Sequence, residues 1–584
     1  LLIYLVENLD NDLIKEFKKT KLFNYLNKID LLLKNIKICD PAIGSGAFPV
    51  SMMLEIVNIR NFICKLDNKE TNFYDLKRNF IENNLYGVDI DTSAVDIAKL
   101  RLWLSLIVDE KSFEKINPLP NLDYKIMQGN SLVESIYDVD LSFKKQFNLL
   151  DLASEELSLD LFKLLETYYN SSIRKNKENL KIKIKDGFVN LISSIIEFSG
   201  KKFSKKNLDL IKKNSEEIFD DKKDRDYFLW NIFFHEVFKK KDGFDIIIAN
   251  PPYVKEYTDR NAFTKIKEHE YYQGKMDLWY FMTCKSIDHL NSNGILCFIA
   301  QNNWFTNSGA KKLRNKISKD TQILEINDFL NYMIFDSADQ QTMIMVLNKD
   351  TKQKQYQFKH SKVVSNDFSK RDLSNFLKSD NHSKVETNLI NFDRSKMLDQ
   401  SFNFNSSQVD KIIKKIESSK NFYLKNTDIT NGIHPHHAKV SKKHEEFSKG
   451  KFNKGAGIFV LNTNEIKKIN FLKTEIANFK PVFYSENLKK FYSYEQTDEF
   501  IIYTSHEFNN RNIISKFPNI KKHLDKYKSI ITSDFKPYGL HRKRNEFFFQ
   551  GEKITSLRKC IEPKFTYTDY NCYVLADHYV IKTD

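Results

Sequence analysis

A short apolar strand ended by two consecutive prolines is the sequence feature that most constrains the fold. Residues 244–249, Phe-Asp-Ile-Ile-Ile-Ala, are typical of a buried parallel strand. Asn250-Pro251-Pro252-Tyr253 follows, and the strand must end there because proline cannot donate to a sheet ladder. Open α/β sheets bind ligands at the carboxyl ends of their strands. An amide, a carbonyl and a ring at such an edge suit a planar group with an amino substituent, such as a nucleobase, although Asn-Pro-Pro is also a loop breaker.

Predicted strands and helices alternate over the first 350 residues. Strands are predicted to begin at or near residues 36, 124, 244, 294 and 342, another ends at 86–91, and helices are predicted at 49–64 and 94–108. This alternation favours a doubly wound parallel sheet. Helical sequence rich in Leu, Lys and Glu at about 138–238 interrupts it and predicts an inserted subdomain.

The chain divides by sequence character into four parts. Residues 1–35 predict an N-terminal helical segment, and residues 36–350 contain the predicted sheet with its insertion. Residues 351–405 are polar and predict a linker or crossover. Residues 406–584 combine short strands, scattered aromatic residues and clustered basic residues, which indicates a second domain.

The composition limits the class of protein. A chain of 584 residues is too long for one core, and its 92 Lys and Arg against 77 Asp and Glu suit a polyanionic partner. The chain is also rich in Lys, Asn and Ile throughout, so a biased genome would explain part of this charge. Six cysteines without a Cys-x-x-Cys pair, no signal peptide and no membrane-length apolar run predict a cytoplasmic protein with reduced thiols. Because the chain begins with Leu1, we expect a fragment of a longer polypeptide.

A glycine-containing turn follows the first predicted strand. Asp40-Pro-Ala-Ile-Gly44-Ser-Gly46-Ala-Phe48 has the strand, turn and helix order of nucleotide-binding folds. It lacks the Lys of a phosphate loop, and the acidic Asp40 would repel phosphate but accept hydrogen bonds from an ammonium group. S-adenosylmethionine carries such a group and no phosphate, although an ordinary βα turn stays open.

Polar residues end the next two predicted strands. Asp89 stands where an acidic residue commonly binds ribose hydroxyls, and Asp91 is better placed to cap the following helix. Asn130, after the third strand, is placed either to hydrogen-bond an adenine edge or to fill a purely structural role.

Taken in order, these segments resemble the motifs of adenine-specific DNA methyltransferases of the gamma class. The matching segments are Asp40–Phe48, Gly87–Asp91, Gln128–Ser131 and Asn250–Tyr253, followed by a C-terminal recognition region. The resemblance covers essentially the whole chain and is closest to the methylase and specificity portion of Type IIG restriction–modification enzymes. Ile43 departs from the family, which commonly has Cys there, and some relatives carry Asp in place of Asn130.

The resemblance implies an α/β, Rossmann-like, S-adenosylmethionine-dependent methyltransferase sheet at 36–350 with a helical insertion. A mixed α/β DNA target-recognition domain at 406–584 would follow it. The implied cofactor contacts are Asp40, Ala42, Gly44, Gly46, Phe48, Asp89, Ile90, Asn130, Ser131 and Asp277. Asn250 and Pro251 would accept hydrogen bonds from the N6 amino group of a flipped adenine, Tyr253 would stack on it, and Pro252 would hold the turn.

Other residues carry weaker expectations. Phe335 is the candidate for the opposite wall of the base pocket, although a core role is open, and Asp277 is also placed to cap a helix. The basic run His541, Arg542, Lys543 and Arg544 beside aromatic residues is the candidate for DNA recognition, although such a cluster is commonly only solvated surface. His434, His436 and His437 lack Cys or acidic partners at ligand spacing, so a solvated or DNA-facing loop is favoured over a metal site.

Two other functions stay open from sequence. A methylase-inactive DNA-recognition subunit would keep the second domain, and some RNA and protein-glutamine methyltransferases share Asn-Pro-Pro-Tyr. The basic C-terminal region of about 180 residues favours double-stranded DNA as the partner. Only 39 residues precede Asp40, so we expect no nuclease activity from this chain, and any nuclease domain is expected in a missing N-terminal part.

Overall fold

The computed structural model divides the chain into two units, Leu1–Ile413 and Lys414–Asp584. It describes residues 17–67, 69–108, 122–136, 139–140, 155–170, 174–198, 224–335, 340–378, 382–404, 407–491, 493–560 and 562–583. The predictions for residues 1–16 and for much of the insertion at 138–238 therefore lie outside the described residues. The division falls close to the boundary expected at 405/406.

A nine-stranded sheet forms the centre of the first unit. Its strands are β1 (Ile38–Asp40), β2 (Leu85–Asp89), β3 (Ile126–Gln128), β6 (Phe244–Ala249), β7 (Leu290–Gln301), β8 (Gln322–Asp328), β9 (Thr342–Asn348), β10 (Gln355–Val363) and β11 (Val385–Asp393), and a separate pair comprises β4 (Ser135–Ile136) and β5 (Val139–Asp140). The order across the sheet is β11-β10-β8-β9-β7-β6-β1-β2-β3. The pairings from β3 to β7 are all parallel, whereas β9 is antiparallel to both β7 and β8.

Most of the following helices pack on the sheet or connect its strands, whereas the last of them extends across the boundary between the two units. They are α1 (Leu26–Asn35), α2 (Ala47–Leu66), α3 (Phe73–Asn83), α4 (Thr92–Ile107), α5 (Glu155–Asn170), α6 (Arg174–Phe198), α7 (Trp230–Phe233), α8 (His235–Lys241), α9 (Leu278–His289), α10 (Lys311–Asp320), α11 (Lys370–Lys378) and α12 (Ser407–Ser418). Helices α5 and α6 fall within the predicted insertion, as do α7 and the first part of α8. The predicted α/β, Rossmann-like class with a helical insertion is confirmed.

The parallel strands bury both of their faces. Successive side chains of a strand point to opposite faces of the sheet. Ile38 of β1 packs in the core beneath α2, α3 and α4, whereas the next residue, Cys39, packs in the core on the other face. In β6, Ile246 and Ile248 border the first core and Ile247 lies in the second. This two-sided burial explains why these strands read as nearly continuous apolar runs.

Helix α2 is long and apolar enough to cross a membrane by length and composition alone. Its Met53 and Val57 are fully buried in the core beneath the sheet. Its Arg60 donates from Nε to Asp30 Oδ1 at 2.8 Å. These contacts are those of a helix that packs in the protein core, and polar Glu55 and Arg60 interrupt the apolar run.

The expected linker at 351–405 is wrong for much of its length. Strands β10 and β11 pair antiparallel over nine residues each and extend the central sheet, and β10 pairs parallel with β8. Tyr356 and Phe358 of β10 and Ile390 and Phe392 of β11 are buried, while residues between them face outward. The polar outer face gave this segment the composition of a linker.

A buried ion cluster connects the segment after β3 to α9. Glu134 Oε2 accepts a hydrogen bond from Lys285 Nζ at 2.6 Å, and Glu134 Oε1 lies 3.1 Å from His289 Nε2. All three residues are less than 7% exposed. The neighbouring Lys and His hold the pKa of Glu134 at about 2 despite its burial. The cluster fixes α9, which begins beside the catalytic candidate residues.

The second unit is a mixed α/β domain with two four-stranded sheets. Its strands are β12 (Ile429–Asn431), β13 (Val460–Asn462), β14 (Phe479–Phe483), β15 (Glu499–Ile502), β16 (Lys553–Leu557), β17 (Phe565–Thr568), β18 (Tyr573–Val574) and β19 (His578–Ile581). Its helices are α13 (Lys442–Phe447), α14 (Thr463–Ile469), α15 (Lys473–Ile476), α16 (Arg511–Ile514) and α17 (Pro518–Lys526). The sheet orders are β12-β19-β16-β17 and β13-β15-β14-β18. The mixed α/β class predicted for this domain is confirmed.

Candidate cofactor and catalytic site

Four parallel strands end side by side and bring the predicted site residues to one edge. β6, β1, β2 and β3 are consecutive in the sheet and run in the same direction. Their carboxyl ends carry Asn250, Asp40, Asp89 and the turn that contains Asn130. At this edge the strand order reverses, because β2 and β3 lie on one side of β1 and β6 and β7 lie on the other. Open α/β sheets bind ligands at such a point.

The glycine turn after β1 is held by two carboxylates. Asp40 Oδ1 accepts a hydrogen bond from Ala42 N–H at 3.0 Å, and Asp89 Oδ2 accepts one from Gly44 N–H at 2.8 Å. Asp89 Oδ1 also accepts from Asp91 N–H at 3.0 Å. Asp89 therefore clamps the turn of β1 to the end of β2, a role that its spacing in the sequence did not reveal.

Gly46 permits a close approach between two helices. It begins α2 at φ 77°, a left-handed conformation that disfavours side chains. A Cβ at this position would lie 3.1 Å from both Cα and Cβ of Ala98 in α4. Phe48, in the first turn of α2, is half-buried and follows directly.

Ile43, the departure from the family pattern, packs on the glycine of the next strand. Ile43 is buried and donates its N–H to the Val88 carbonyl at 3.0 Å. If Gly87 carried a Cβ, that atom would lie only 2.3 Å from Ile43 Cδ1. The larger side chain is accommodated because Gly87 has none.

Asp40 is buried and lies near a second acid. Burial raises the pKa of Asp40 to about 8, the hydrogen bond from Ala42 lowers it, and the charge of Asp89 raises it further. The carboxyl is 1% exposed. Such a group is stabilised in its charged form by a cation, so two acids at this edge fit the ammonium group of a phosphate-free cofactor such as S-adenosylmethionine.

The ends of β2 and β3 combine an exposed apolar residue with ordered turns. Ile90 is 61% exposed directly after Asp89, so its side chain is available to contact a flat ring. Asn130 Oδ1 accepts Leu132 N–H at 3.1 Å, and the Ser131 carbonyl accepts Trp230 Nε1–H at 3.0 Å. Both residues thus shape the turn, and the remaining side-chain atoms of Asn130 are half-buried at the edge.

Gln128 is a residue that sequence reasoning did not single out. Its Nε2 donates to the Ile90 carbonyl at 2.9 Å, and its Oε1 accepts Arg225 N–H at 2.7 Å. It joins the end of β2 to the chain that returns from the insertion. Its position in the quoted segment 128–131 was the only sequence signal.

The Asn-Pro-Pro-Tyr segment continues β6 as an extended turn. Asn250 is exposed, Pro251 is buried and Pro252 is exposed. The Tyr253 hydroxyl lies 2.9 Å from Asn250 Oδ1 and 2.9 Å from the carbonyl oxygen of Ile299 in β7. Since one hydroxyl has one proton, it donates to either oxygen at a time. Burial, with the nearby charge of Asp277, raises the pKa of Tyr253 well above its usual range, so the phenol stays neutral.

Asp277 lies against the Asn250–Tyr253 segment. It precedes α9, and its Oδ1 lies 3.5 Å from Trp279 N. Lys255 and Asp277 form an antiparallel bridge, with Leu278 N–H donating to the Val254 carbonyl at 2.9 Å. Asp277 is 3% exposed, and its Oδ2 has no partner within the part of the chain that the structure describes. Burial raises the pKa of Asp277 to about 6.

A polar network continues from this point along the end of β7. Tyr280 Oη donates to Asn303 Oδ1 at 2.9 Å, and Asn303 Nδ2 donates to Gln301 Oε1 at 3.1 Å. Sequence reasoning missed these residues because they are far apart in the chain and match no motif. Phe335 is half-buried in the connection between β8 and β9, and β9 begins opposite Gln301, so Phe335 belongs to a loop at the same end of the sheet.

The predicted DNA-recognition run lies in the second unit, where the positive charge is concentrated. Residues 414–584 contain 31 Lys and Arg and 19 Asp and Glu, so most of the overall charge of +15 lies here. Arg542 is exposed, whereas His541, Lys543 and Arg544 are half-buried. Lys543 Nζ lies 4.5 Å from the centroid of the Tyr503 ring.

Comparisons with known proteins match parts of this chain to restriction–modification methylases. Residues 83–335 match the Eco57I restriction-modification methylase model, and residues 14–139 match the MmeI DNA-methyltransferase domain model. A Methanocaldococcus jannaschii protein described as a type II restriction enzyme and methyltransferase is 29% identical over 366 residues, which cover 54% of this chain. The chain spans 30% of the length of that relative.

Solved structures similar to this chain include two enzymes in complex with DNA or a DNA mimic. The Type IIL restriction-modification enzyme MmeI in complex with DNA is 13% identical with a TM-score of 0.49, covering 100% of this chain and 62% of that one. A nuclease-deletion mutant of the Type ISP enzyme LlaGI, with a DNA substrate mimic, is 11% identical with a TM-score of 0.45, covering 99% of this chain and 41% of that one.

Proposed function

We propose that the chain, which matches restriction–modification methylase models over residues 83–335 and 14–139, methylates N6 of a specific adenine in double-stranded DNA, with S-adenosylmethionine as the methyl donor. The observation that carries the proposal is the exposed Asn250 amide at the end of β6, the strand paired with β1, whose end carries the turn of Asp40 and Gly44. Neighbouring strands therefore carry an acceptor for an amino group and an acidic turn that would repel a phosphate-containing cofactor.

The catalytic residues act by position. Asn250 Oδ1 and the Pro251 carbonyl would each accept one hydrogen of the adenine amino group, which turns the nitrogen lone pair out of the ring plane. Oδ1 has two lone pairs, so it accepts the Tyr253 hydroxyl and an amino hydrogen together. S-adenosylmethionine, when bound, supplies an electrophilic sulfonium methyl group. Alignment and electrostatics then provide the rate enhancement, without a covalent enzyme intermediate.

The remaining site residues divide between the cofactor and the base. We assign Asp40, Ala42, Gly44, Gly46, Phe48, Asp89, Ile90, Asn130, Ser131 and Asp277 to the cofactor side, and Pro252, Tyr253 and Phe335 to the pocket of a flipped base. His541, Arg542, Lys543 and Arg544 are assigned to DNA recognition. Asp277 lies beside Tyr253, so it borders both sides of the site.

Transfer of tritiated methyl groups from S-adenosylmethionine to plasmid DNA tests the proposed function. We expect incorporation into DNA and none into ribosomal RNA or a glutamine-containing peptide. Sequence-specific DNA binding without methyl incorporation would favour the other function left open by the sequence, a methylase-inactive DNA-recognition subunit. Incorporation into RNA or peptide alone would favour the related methyltransferases.

Two substitutions of Tyr253 should distinguish the contribution of its hydroxyl group from that of its aromatic ring. Tyr253→Phe removes the hydroxyl bonded to Asn250 and Ile299 and should lower kcat by about 2- to 10-fold, the usual effect of one neutral hydrogen bond. Tyr253→Ala also removes base stacking, which contributes roughly 1–3 kcal/mol, and should lower it further. Fluorescence of 2-aminopurine at the target position measures flipping of the base. Tyr253→Phe should keep this flipping, and Tyr253→Ala should weaken it. Equal flipping defects would contradict the stacking role.

Cofactor binding should release a proton near neutral pH. The pKa of Asp40 is raised to about 8, so its carboxyl is mostly neutral at pH 7 in the free chain. The ammonium group of the cofactor favours the charged carboxylate, so its binding lowers the pKa of Asp40 and releases the proton. Cofactor affinity should therefore increase as the pH is raised from about 6 to 8. Calorimetry in two buffers with different ionisation heats measures the released proton. Asp40→Asn should bind more weakly and release none, and equal release from both proteins would exclude Asp40 as the source.

A further inference from the structure

Five histidines from three separate segments converge in the second unit. The ring centroids of His436 and His437 are 4.3 Å apart, those of His437 and His444 4.7 Å, and those of His434 and His541 5.1 Å. His436 also lies 5.4 Å from His541. We call these five residues the histidine cluster. It joins the sequence region around 434–437 to the predicted DNA-recognition run.

Backbone pairing and one hydroxyl hold the cluster together. His434 and Arg542 exchange two backbone hydrogen bonds, each of 3.0 Å. His436 Nδ1 and His437 Nε2 are 2.8 Å apart, and Thr532 Oγ1 lies 3.2 Å and 2.9 Å from these two atoms. Because a hydrogen bond between two imidazoles needs one neutral nitrogen acceptor, the pair cannot be fully protonated while this contact exists.

Charged groups of every neighbouring segment act on the cluster. Arg542 and Arg544 on its own loop lower the pKa of His434, after burial and the neighbouring histidines. Asp534 is the acidic partner, with Oδ2 3.3 Å from His541 Nδ1. The acids of α13 are engaged elsewhere: Glu445 Oε1 accepts Lys454 N–H at 3.0 Å, and Glu446 pairs with Lys442 at 3.9 Å.

Burial and the neighbouring histidines lower the pKa of both His434 and His437. Burial, followed by His436, His444 and His434, lowers the pKa of His437 to about 4. Among the described residues, His434 Nδ1 and Arg544 Nε are enclosed without a hydrogen-bond partner. The imidazole and guanidinium groups here surround one acidic residue. An added anion would stabilise their positively charged forms.

We propose that the histidine cluster, with Arg542, binds the phosphate backbone of DNA and takes up protons as it does so. This inference rests on the proposed DNA-methylating function and names the surface and the chemistry of contact. Phosphate contacts are independent of base sequence and fix the register of a protein on the duplex. A metal ion is the other ligand that imidazoles bind, but no group of three or more His, Cys, Asp or Glu among the residues described is arranged to hold one.

Proton uptake gives the proposal a direct test. Binding of a fluorescently labelled duplex of arbitrary sequence is measured between about pH 8 and pH 6 at constant ionic strength. Wild-type affinity should rise by about 2- to 5-fold per unit fall in pH, since full uptake of one proton would change Kd tenfold per unit. The double variant His436→Gln and His437→Gln should keep less than half of this slope.

Matched variants separate the cluster from other effects. His382→Gln, a histidine of the first unit paired with Asp372 at 3.4 Å, should keep the wild-type slope. Arg542→Gln should weaken binding by a similar factor at every pH. Thermal melting checks folding, and His541→Gln replaces the double variant if the latter is unfolded. Equal slopes in wild type and cluster variants that both bind would overturn the inference, whereas no duplex binding by the wild type at any pH would contradict the proposed function itself.

Discussion

Replacing Asn250 with Ala is expected to lower kcat for DNA methylation by on the order of 10²–10³, the usual cost of removing one preorganised contact to the reacting group. The side-chain oxygen stands at the end of β6, 2.9 Å from the Tyr253 hydroxyl, and is exposed to a substrate. The alanine variant keeps the backbone turn that the prolines impose, but it loses the acceptor that orients the amino group. Single-turnover methyl transfer measures the loss directly.

Two comparisons separate this effect from folding and from cofactor binding. Calorimetry should show cofactor affinity of Asn250→Ala within about threefold of wild type, because the amide lies on β6 and not at the glycine turn. Asn72→Ala is the matched control, since Asn72 caps α3 by accepting Tyr74 N–H at 3.0 Å. It should cost about 1 kcal/mol of stability and leave kcat unchanged. Wild-type kcat in Asn250→Ala would remove the residue from the catalytic role.

Replacing Asp89 with Ala is expected to weaken cofactor binding by about 10- to 100-fold. The carboxylate accepts hydrogen bonds from Gly44 N–H and Asp91 N–H, so its loss frees the glycine turn and also removes the ribose acceptor that we propose. Hydrogen bonds to charged groups contribute about 1.5–3 kcal/mol each. Calorimetry of S-adenosylmethionine binding measures the change, and kcat at saturating cofactor should fall much less.

Asp91 supplies the control for this variant. Asp91 Oδ1 caps α4 by accepting Ser93 N–H at 2.8 Å, and its position is two residues from Asp89. Asp91→Ala should lower the melting temperature through loss of the cap and leave cofactor affinity close to wild type. If both variants lose cofactor affinity equally, the ribose role of Asp89 is excluded and the effect lies in the local turn.

The sequence predicted the strands that are buried on both faces. β6 begins and ends at the predicted residues 244 and 249, because its apolar run and the two prolines leave no other choice. The same holds for the central part of β7 and for β9, whose apolar residues form continuous runs. The sequence did not predict the order of the strands, and the parallel sheet that it favoured is mixed, because β9 runs antiparallel to β7 and β8.

Strands with one polar face could not be recognised by composition. β10 alternates buried Tyr356, Phe358 and His360 with outward Gln and Lys residues, and only this period of two distinguishes it from a linker. Contacts between distant residues were also beyond reach. The bond of the Tyr253 hydroxyl to Ile299 and the meeting of His434 with Arg542 depend on tertiary packing and have no local sequence signal.

The nucleosides of DNA from a host that expresses the chain test the central claim most directly. Digestion and mass spectrometry should detect N6-methyladenine, and modification-sensitive sequencing should place it at one sequence motif. DNA from a host expressing Asn250→Ala should contain far less methylated adenine at that motif. Absence of methylated adenine with a folded, DNA-binding wild-type chain, or methylation of cytosine in its place, would contradict the proposed function.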